Sequence, residues 1–512
     1  MKIIYLPTDD RPYCFGSVRR FISLVPLDVR IPERGLLGNR WHGADLQKLS
    51  PWLWTAVAGG DTLVLSLDAL LYGGLVQGRE ATSYSDRVDA ACKLLKELRQ
   101  RIGPTGKLYV FFVWKRLWGN ISSVEDLSKM RTAEEISSRL EEELVSRSAS
   151  LPVFLRMLRR GARIPAGLDK EEVVQLAAFR ASQRQDLLAV LDLEPEVLDH
   201  VHLAREDNSG RGLYGLEVQS LIAEAKQRRV RISSTEGGDE AGMLMLTMAI
   251  NQLAPQTTCG FSFEVSSKEN WNTVPPYEGR PFGETIQALR ILTTVDARDL
   301  VKFPPQLYLN LTFTGEIQPG DPLLTVLRGQ LPAPLPPESY VTRAVPTASI
   351  SRREIRVDLT YANGVNEDLV NWFIVESELP LLVFQSGTTA NRIGYSLFAA
   401  TAAKFALQHK VPDPSVWQRL AEVVIATYIE EVLYSGHLRS WAISRWKGMG
   451  PTDDATLITA EKELSEAAFA IARRKFSGFT FLEHPVKLES VQLHLPWKRW
   501  FEAEAEVKVT AP

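Results

Sequence analysis

Short runs of aliphatic, β-branched and aromatic residues recur along this chain, each closing on acidic or hydroxyl side chains and giving way to helical periodicity. Strand-like runs alternating with helical stretches are the mark of parallel βα units, because a parallel strand can be reached only through a crossover, usually a helix. The clearest runs are Ile3–Leu6, Leu63–Leu67, Leu108–Val113, Val201–Leu203, Val230–Ser233, Ile355–Leu359 and Leu381–Phe384, with Leu27–Ile31, Gly260–Val265 and Leu307–Phe313 beside them. The fold class is therefore α/β. The number of strands suits a (β/α)8-type barrel with helical insertions, which is the leading expectation, and a doubly wound open sheet is the alternative.

At 512 residues the chain exceeds an ordinary domain of about 100–200 residues, so it must carry insertions or more than one domain. Residues 1–121 hold the first βα units, and 122–198 read as a helical insertion with patterns such as Ala133–Leu151 and Lys170–Leu191. Further α/β units fill 199–318. A connection over 319–347 comes next, where the density of proline forbids helix or central strand. The last α/β units lie in 348–410, a helical region in 411–480 and a β hairpin in 481–512.

Composition excludes several classes of function. Lys and Arg total 59 against 62 for Asp and Glu, a net charge of -3, so no basic field points to nucleic acid or an anionic membrane. No run approaches the roughly 18 apolar residues of a membrane span, and Met1-Lys2 leads directly into Ile3–Leu6 without a signal-peptide pattern. A cytoplasmic protein is expected, with the odd, widely spaced Cys14, Cys92 and Cys259 as reduced thiols. The oligomeric state is not readable.

Acidic and hydroxyl residues gather where the expected strands end: Thr8-Asp9-Asp10-Arg11-Pro12, Asp68 with Tyr72-Gly73-Gly74, Glu206-Asp207-Asn208, and Glu236-Gly237-Gly238-Asp239-Glu240. Active sites of parallel α/β folds lie at the carboxyl ends of the strands, so these loops should converge on one mouth under either sheet closure. Adjacent strand residues point to opposite faces, so only one of Asp9 and Asp10 should face a pocket, the other pairing with Arg11 or capping a helix. Asp239 and Glu240 equally suit a helix start. Ser386-Gly387-Thr388-Thr389-Ala390-Asn391-Arg392 and Asp358–Gly364, with Asn363, each come directly after a strand and offer amide, hydroxyl and guanidinium donors.

Gly210-Arg211-Gly212-Leu213-Tyr214-Gly215 fits the dinucleotide fingerprint in spacing, but Glu206 and Asp207 stand between strand and glycines, where they would repel a pyrophosphate. His200-x-His202 puts two imidazoles on one face of a strand, a spacing whose ordinary role is structural. Neither a G-x-S-x-G nor a Walker pattern occurs. Trp41-His42, Trp114–Trp118 and Asn270-Trp271-Asn272 set aromatics beside polar groups, an arrangement able to stack on sugar rings although core burial is the default for tryptophan.

These residues resemble a bacterial family catalogued as domain of unknown function 4127. The resemblance rests on Leu6–Pro12, on Ser66–Leu75 ending at Arg79, on Gly238-Asp239-Glu240-Ala241-Gly242 and on Thr389-Ala390-Asn391-Arg392-Ile393-Gly394, and it spans nearly the full chain. Ser386-Gly387-Thr388 departs from the Gly-Trp-Asn associated with the family there, which weakens the case for a substrate contact by that loop. The family name implies no activity.

The residues themselves point to a hydrolase acting on a sugar-containing small molecule, since carboxylates from separate strand ends can supply a general acid and a base or nucleophile. Asp239 or Glu240 is the expected acid and Asp10 or Asp68 the expected base. Asp9, Arg11, Tyr72, Arg79, Arg116, Glu206, Asp207, Asn363, Thr389, Asn391 and Arg392 are expected to position the substrate. This chemistry requires no cofactor. One alternative is a metal-dependent hydrolase or phosphoryl-transfer enzyme whose acids hold Mg or Mn; another is a binding protein without catalysis.

Overall fold

The computed structural model describes residues 2–25, 27–80, 85–117, 126–146, 150–162, 164–208, 212–255, 260–264, 271–293, 308–312, 354–359, 387–408, 414–448, 450–478, 480–481 and 484–510. The Pro-rich connection, the expected strand Leu381–Phe384 and Asn363 lie outside these residues. The chain forms two compact units. The first comprises Met1–Asp10, Leu27–Met245 and Tyr277–Arg280, and the second Arg11–Pro26, Leu246–Pro276 and Pro281–Pro512.

The first unit is built on a six-stranded sheet whose pairings are all parallel. Its strands are β1 (Ile3–Leu6), β2 (Val29–Arg30), β3 (Thr62–Ser66), β4 (Lys107–Trp114), β5 (His200–Arg205) and β6 (Ile232–Glu236), in the order β2-β1-β3-β4-β5-β6. Every residue of β1, β3 and β5 is buried, which is why these strands read as continuous rather than alternating apolar runs. The helices between them are α1 (Ser17–Ile22, in the second unit), α2 (Leu46–Ala56), α3 (Leu67–Leu71), α4 (Leu75–Glu80), α5 (Ser85–Ile102), α6 (Asp126–Ser146), α7 (Leu151–Arg159), α8 (Lys170–Leu191) and α9 (Leu213–Gln227), and α10 (Ala241–Leu253), which passes into the second unit at Leu246, comes after β6. Ile136, Leu140, Phe154, Leu158, Val173 and Ala177 give the inserted helices α6, α7 and α8 an apolar core of their own.

No sheet closes among the described residues: β2 and β6 are the two edges of the six-stranded sheet. The barrel expectation is not met there, and the reversal of strand order between β1 and β3 is the switch point met in doubly wound sheets. Strand number and hydrophobic period are alike in the two architectures. What separates them is pairing between distant segments, which no local pattern encodes.

The second unit carries a three-stranded parallel sheet of β7 (Gly260–Glu264), β8 (Tyr308–Thr312) and β9 (Glu354–Asp358). Helix Thr389–Gln408, further helices through Lys475 and the short pair β10 (Thr480–Phe481) and β11 (His484–Pro485) come after it. An antiparallel hairpin of β12 (Lys487–His494) and β13 (Glu504–Thr510) ends the described chain. Within this unit Arg20 pairs with buried Glu430, which also accepts from the Ala505 amide at 2.6 Å, and desolvation lifts the Glu430 carboxyl to about 7. No helix among the described residues is long and apolar enough to cross a membrane.

Strands β5 and β6 run further toward their carboxyl ends than hydrophobicity alone suggests, because the ladder continues through the polar pairs Ala204 with Thr235 and Arg205 with Glu236. The two strand histidines are held by hydroxyls. Ser233 Oγ lies 2.7 Å from His200 Nε2 and 2.9 Å from His202 Nδ1, and Thr235 Oγ1 lies 3.1 Å from His202 Nε2. Burial depresses their pKa values to about 4 and about 3, so both are neutral at physiological pH. The unfolded chain, titrating near 6.5, binds more protons than the fold over that interval. Stability should therefore fall as pH drops from about 6.5 toward 4, by up to about 1.4 kcal/mol per pH unit for each histidine. Urea midpoints measured across this range should show a shallower acid slope in His202→Asn than in the parent; an unchanged slope would contradict this account.

Candidate functional site

The switch point brings two of the acidic loops together. Thr8 and Asp9 leave β1 buried, whereas Asp10 is half-buried and donates its amide to Gly38 O at 3.0 Å. Strand β3 passes straight into α3, with Ser66 Oγ accepting from the Ala69 amide at 3.2 Å as a helix cap. The short helix ends at Tyr72-Gly73-Gly74, whose glycines take φ of +89° and +151°. A Cβ on Gly74 would stand 3.6 Å from Thr8 O and 3.7 Å from Asp9 Cβ, and 2.9 Å from Gln77 Oε1. Backbone conformation requires glycine here, and the turn places the β3 loop against the β1 acids.

Behind this turn lies a buried polar network. The Asp68 carboxylate pairs with Lys115 Nζ and accepts from the Val113 amide at 2.8 Å. The ammonium sits 4.3 Å from the Tyr72 ring centroid and 3.9 Å from that of Phe112, and the Tyr72 hydroxyl donates to Asp186 Oδ2 at 3.0 Å. Desolvation dominates both partners of the ion pair, raising the Asp68 carboxyl and lowering Lys115 to about 8 against their mutual attraction. Helix α8 of the insertion supplies the outer part: Asp186, Gln183, which donates to Gly78 O at 2.8 Å, and Arg180, which donates to Lys115 O at 2.6 Å. Arg180 also pairs with Glu217 and covers the Trp114 ring at 4.4 Å.

Arg180, Gln183 and Asp186 belong to none of the motifs expected to carry chemistry, and Lys115 was read only as one of the polar neighbours within Trp114–Trp118. Periodicity could have found Arg180, since Val173, Ala177, Arg180, Arg184, Leu187 and Leu191 recur every three or four residues, which puts two arginines in the buried register of α8.

The ends of β4, β5 and β6 carry the other acids. Arg79 grips Glu206 with Nη2 and with Nε at 3.3 Å, and the Arg116 amide donates to the same carboxylate at 3.1 Å. Arg116 Nη1 reaches Asp207, held at φ +23°, at 2.9 Å. Glu236 is surrounded by donors: Arg205 at 3.2 Å, Arg280 at 3.3 Å, Asn208 Nδ2 at 2.8 Å and the Gly279 amide at 3.2 Å. Gly238 leaves only 2.9 Å between a Cβ and Val113 Cγ1, and 3.5 Å to Glu206 Cβ, so the β6 loop sits on the ends of β4 and β5. Asp239 is half-exposed and Glu240 buried. At the start of α10, a Cβ on Gly242 would strike the Tyr5 hydroxyl and lie 3.0 Å from Tyr5 Cζ, so the β6 loop also meets a side chain of β1.

Four residues expected to position the substrate belong to the second unit and form a local network there. Arg11 donates to Cys14 Sγ at 3.5 Å and lies 5.5 Å over Trp497. Asn391 accepts from Thr388 Oγ1 at 2.6 Å on its side chain and from the Tyr13 hydroxyl at 2.9 Å on its carbonyl. Arg392 Nε donates to Gly387 O at 3.2 Å, and Thr389 opens the helix Thr389–Gln408. Among the described residues no three His, Cys, Asp or Glu side chains converge as a ligand set for a metal ion.

The Asp68–Lys115 pair makes a direct prediction. Asp68→Asn leaves a buried ammonium without its carboxylate and should cost about 3–5 kcal/mol, whereas Asp68→Leu/Lys115→Met should recover most of the loss. Without its carboxylate Lys115 releases its proton at lower pH than in the parent, where it does so near 8, so the single variant's deficit should shrink as pH rises toward about 8 and change little above it, where both proteins gain alike. Chemical denaturation at pH 7 and pH 10 checks both signs; a single variant as stable as the parent at pH 7 would contradict the pairing.

Comparison with known proteins bears on the whole chain. No curated protein and no solved structure matches it. A family described as "Protein of unknown function (DUF4127)" matches residues 3–506. With its strand-end acids, the Gly73-Gly74 turn and the Gly238–Gly242 loop inside that match, the chain belongs to this family.

Proposed function

We propose that the chain is a hydrolase acting on a sugar-containing small molecule by carboxylate acid and base catalysis, at the carboxyl ends of the six-stranded sheet. The observation that carries this reading is the meeting of Gly242 with the Tyr5 hydroxyl, which joins the acidic loop after β6 to the strand that leads into Asp9 and Asp10. Four strand spacings of about 4.8 Å would otherwise hold those loops roughly 19 Å apart. Crevices outside the carboxyl ends of such strands, at a switch point, are where ligands bind in open α/β sheets.

Exposure divides the carboxylates by role. Glu206 and Glu236 are taken up by arginines, and Asp68 is wholly buried against Lys115, so these three support the mouth. Asp10, Asp207 and Asp239 are half-exposed; Asp207 is paired with Arg116, and Asp10 and Asp239 stand on the two loops this reading joins, which makes Asp10 the base or nucleophile and Asp239 the general acid. Arg116, already beside Asp207 at the mouth, is the guanidinium placed to hold a hydroxyl or ring oxygen of the substrate.

A panel of sugars, nucleotides and divalent cations, read by melting temperature with chelator-treated protein as the control, is the first test. A sugar should raise the midpoint, a ligand at about 100 times its Kd adding roughly 2.7 kcal/mol. Asp10→Asn and Asp239→Asn should each lower turnover of the matching glycoside by about 10²–10⁴-fold while melting like the parent. Stabilisation by a divalent cation alone, reversed by chelator, would replace this reading with a Mg or Mn site. Sugar binding without turnover of any glycoside would leave a binding protein.

A further inference from the structure

The loop that comes after β2 holds an indole out to solvent on an unusually constrained backbone. Asp10 N donates to Gly38 O at 3.0 Å, Ala44 N to Gly73 O at 2.8 Å and Asn39 N to His42 O at 2.8 Å. Asn39 Oδ1 accepts from the amides of both Trp41 and His42 at 2.9 Å, and Gln77 Nε2 donates to Asn39 O at 2.8 Å. Arg87 of α5 donates to Ala44 O at 2.8 Å and to the carbonyls of Ala69 and Leu70 in α3. A Cβ on Gly38 would collide with Gly73 O, and one on Gly43 would stand 3.1 Å from Tyr72 O, so the loop is bedded on the Tyr72-Gly73-Gly74 turn backbone to backbone.

The side chains at its tip are unengaged by comparison. Trp41 is 54% exposed, His42 is exposed, and neither ring meets another ring or a cation among the described residues. Trp54, the other exposed tryptophan among the described residues, has Arg101 stacked 4.4 Å above it. The turn needs only the backbone amides of residues 41 and 42, which any residue but proline supplies, and an exposed indole forgoes the stabilisation of apolar burial. Folding therefore does not explain tryptophan here. Its Cα is three residues from each anchor, Gly38 on the β1 loop and Ala44 on the β3 turn, which keeps it within about 11 Å of both.

We propose that Trp41, with His42 beside it, is the stacking platform of a sugar subsite at the switch point: a pyranose lies with its C–H face on the indole and its hydroxyls toward Asp10. This inference rests on the sugar-hydrolase reading and adds the residue that selects the ring. Carboxylates accept hydrogen bonds from hydroxyls and repel phosphate, so a sugar ring suits this setting better than a nucleotide.

The test uses full-length protein labelled with 5-fluorotryptophan, the Trp41 resonance being the one missing from Trp41→Phe. Probes are free monosaccharides, p-nitrophenyl glycosides and adenosine. A sugar that raises the melting temperature should also shift the Trp41 resonance, Trp41→Ala should bind that sugar about tenfold more weakly, and Trp41→Phe should recover most of the difference. A stabilising sugar that leaves the Trp41 resonance unmoved and binds Trp41→Ala equally well overturns the platform while the hydrolase reading stands. A resonance shifted by adenosine and by no sugar overturns the choice of ligand. A panel in which no sugar moves either signal takes down both readings.

Discussion

The ion pair of Asp68 with Lys115 sets the geometry of everything around it. An ammonium taken wholly out of water costs several kcal/mol unless charge and hydrogen bonds replace its hydration, and here the replacement comes from one carboxylate and two aromatic faces. Because Asp68 stands in the first turn of α3 and also accepts the Val113 amide, the exits of β3 and β4 are locked together. Helix α3 has five residues, so this lock also decides where Tyr72-Gly73-Gly74 emerges. The turn in turn receives the β1 acids on one side and the Gly38–Ala44 loop on the other.

The helical insertion is tied to this edge by charge rather than by grease. Its apolar cluster is largely internal to α6, α7 and α8, while the face of α8 that meets the sheet end presents Arg180, Gln183 and Asp186. Buried ionic contacts of this kind are poor sources of net stability, since desolvation offsets most of their attraction. What they supply is direction: a guanidinium that must satisfy Glu217 and the Lys115 carbonyl at once while lying on Trp114 has one acceptable position. The insertion thereby fixes Lys115 from behind.

Much of this was legible in the residues. β1, β4 and the helix Lys170–Leu191 track their apolar patterns closely, whereas which of Asp9 and Asp10 is buried was not legible, because both lie past the end of β1 at Leu6, where strand alternation no longer applies. The Arg205–Glu236 stretch was not legible as strand, because its polar side chains are compensated only by partners such as Asn208 and Arg280, distant in the chain. Lys115 and Asp186 escaped for the same reason: each is a polar residue whose meaning lies in a carboxylate or phenol that only the fold brings near. Trp41 was legible as a residue able to stack on a sugar ring, but not as an exposed one. Tryptophan is ordinarily core, and its exposure comes from hydrogen bonds that Asn39 makes to backbone amides.

Glycine accounts for how loops from opposite parts of an open sheet reach one another. Parallel strands fix lateral spacing, so the acids after β1 and β6 can share a mouth only if something crosses the intervening strands. The helix beyond β6 begins against the Tyr5 phenol, and it can come that close because position 242 has no Cβ to obstruct it. Gly74 and Gly238 do the same over shorter gaps, admitting Asp9 on one side and Val113 with Glu206 on the other. Two of the motifs that carry the family resemblance, Ser66–Leu75 with its Tyr72-Gly73-Gly74 turn and Gly238–Gly242, are thus motifs of close approach. With bulkier residues at these three positions those close approaches would be lost, and each loop would part from the neighbour it now meets.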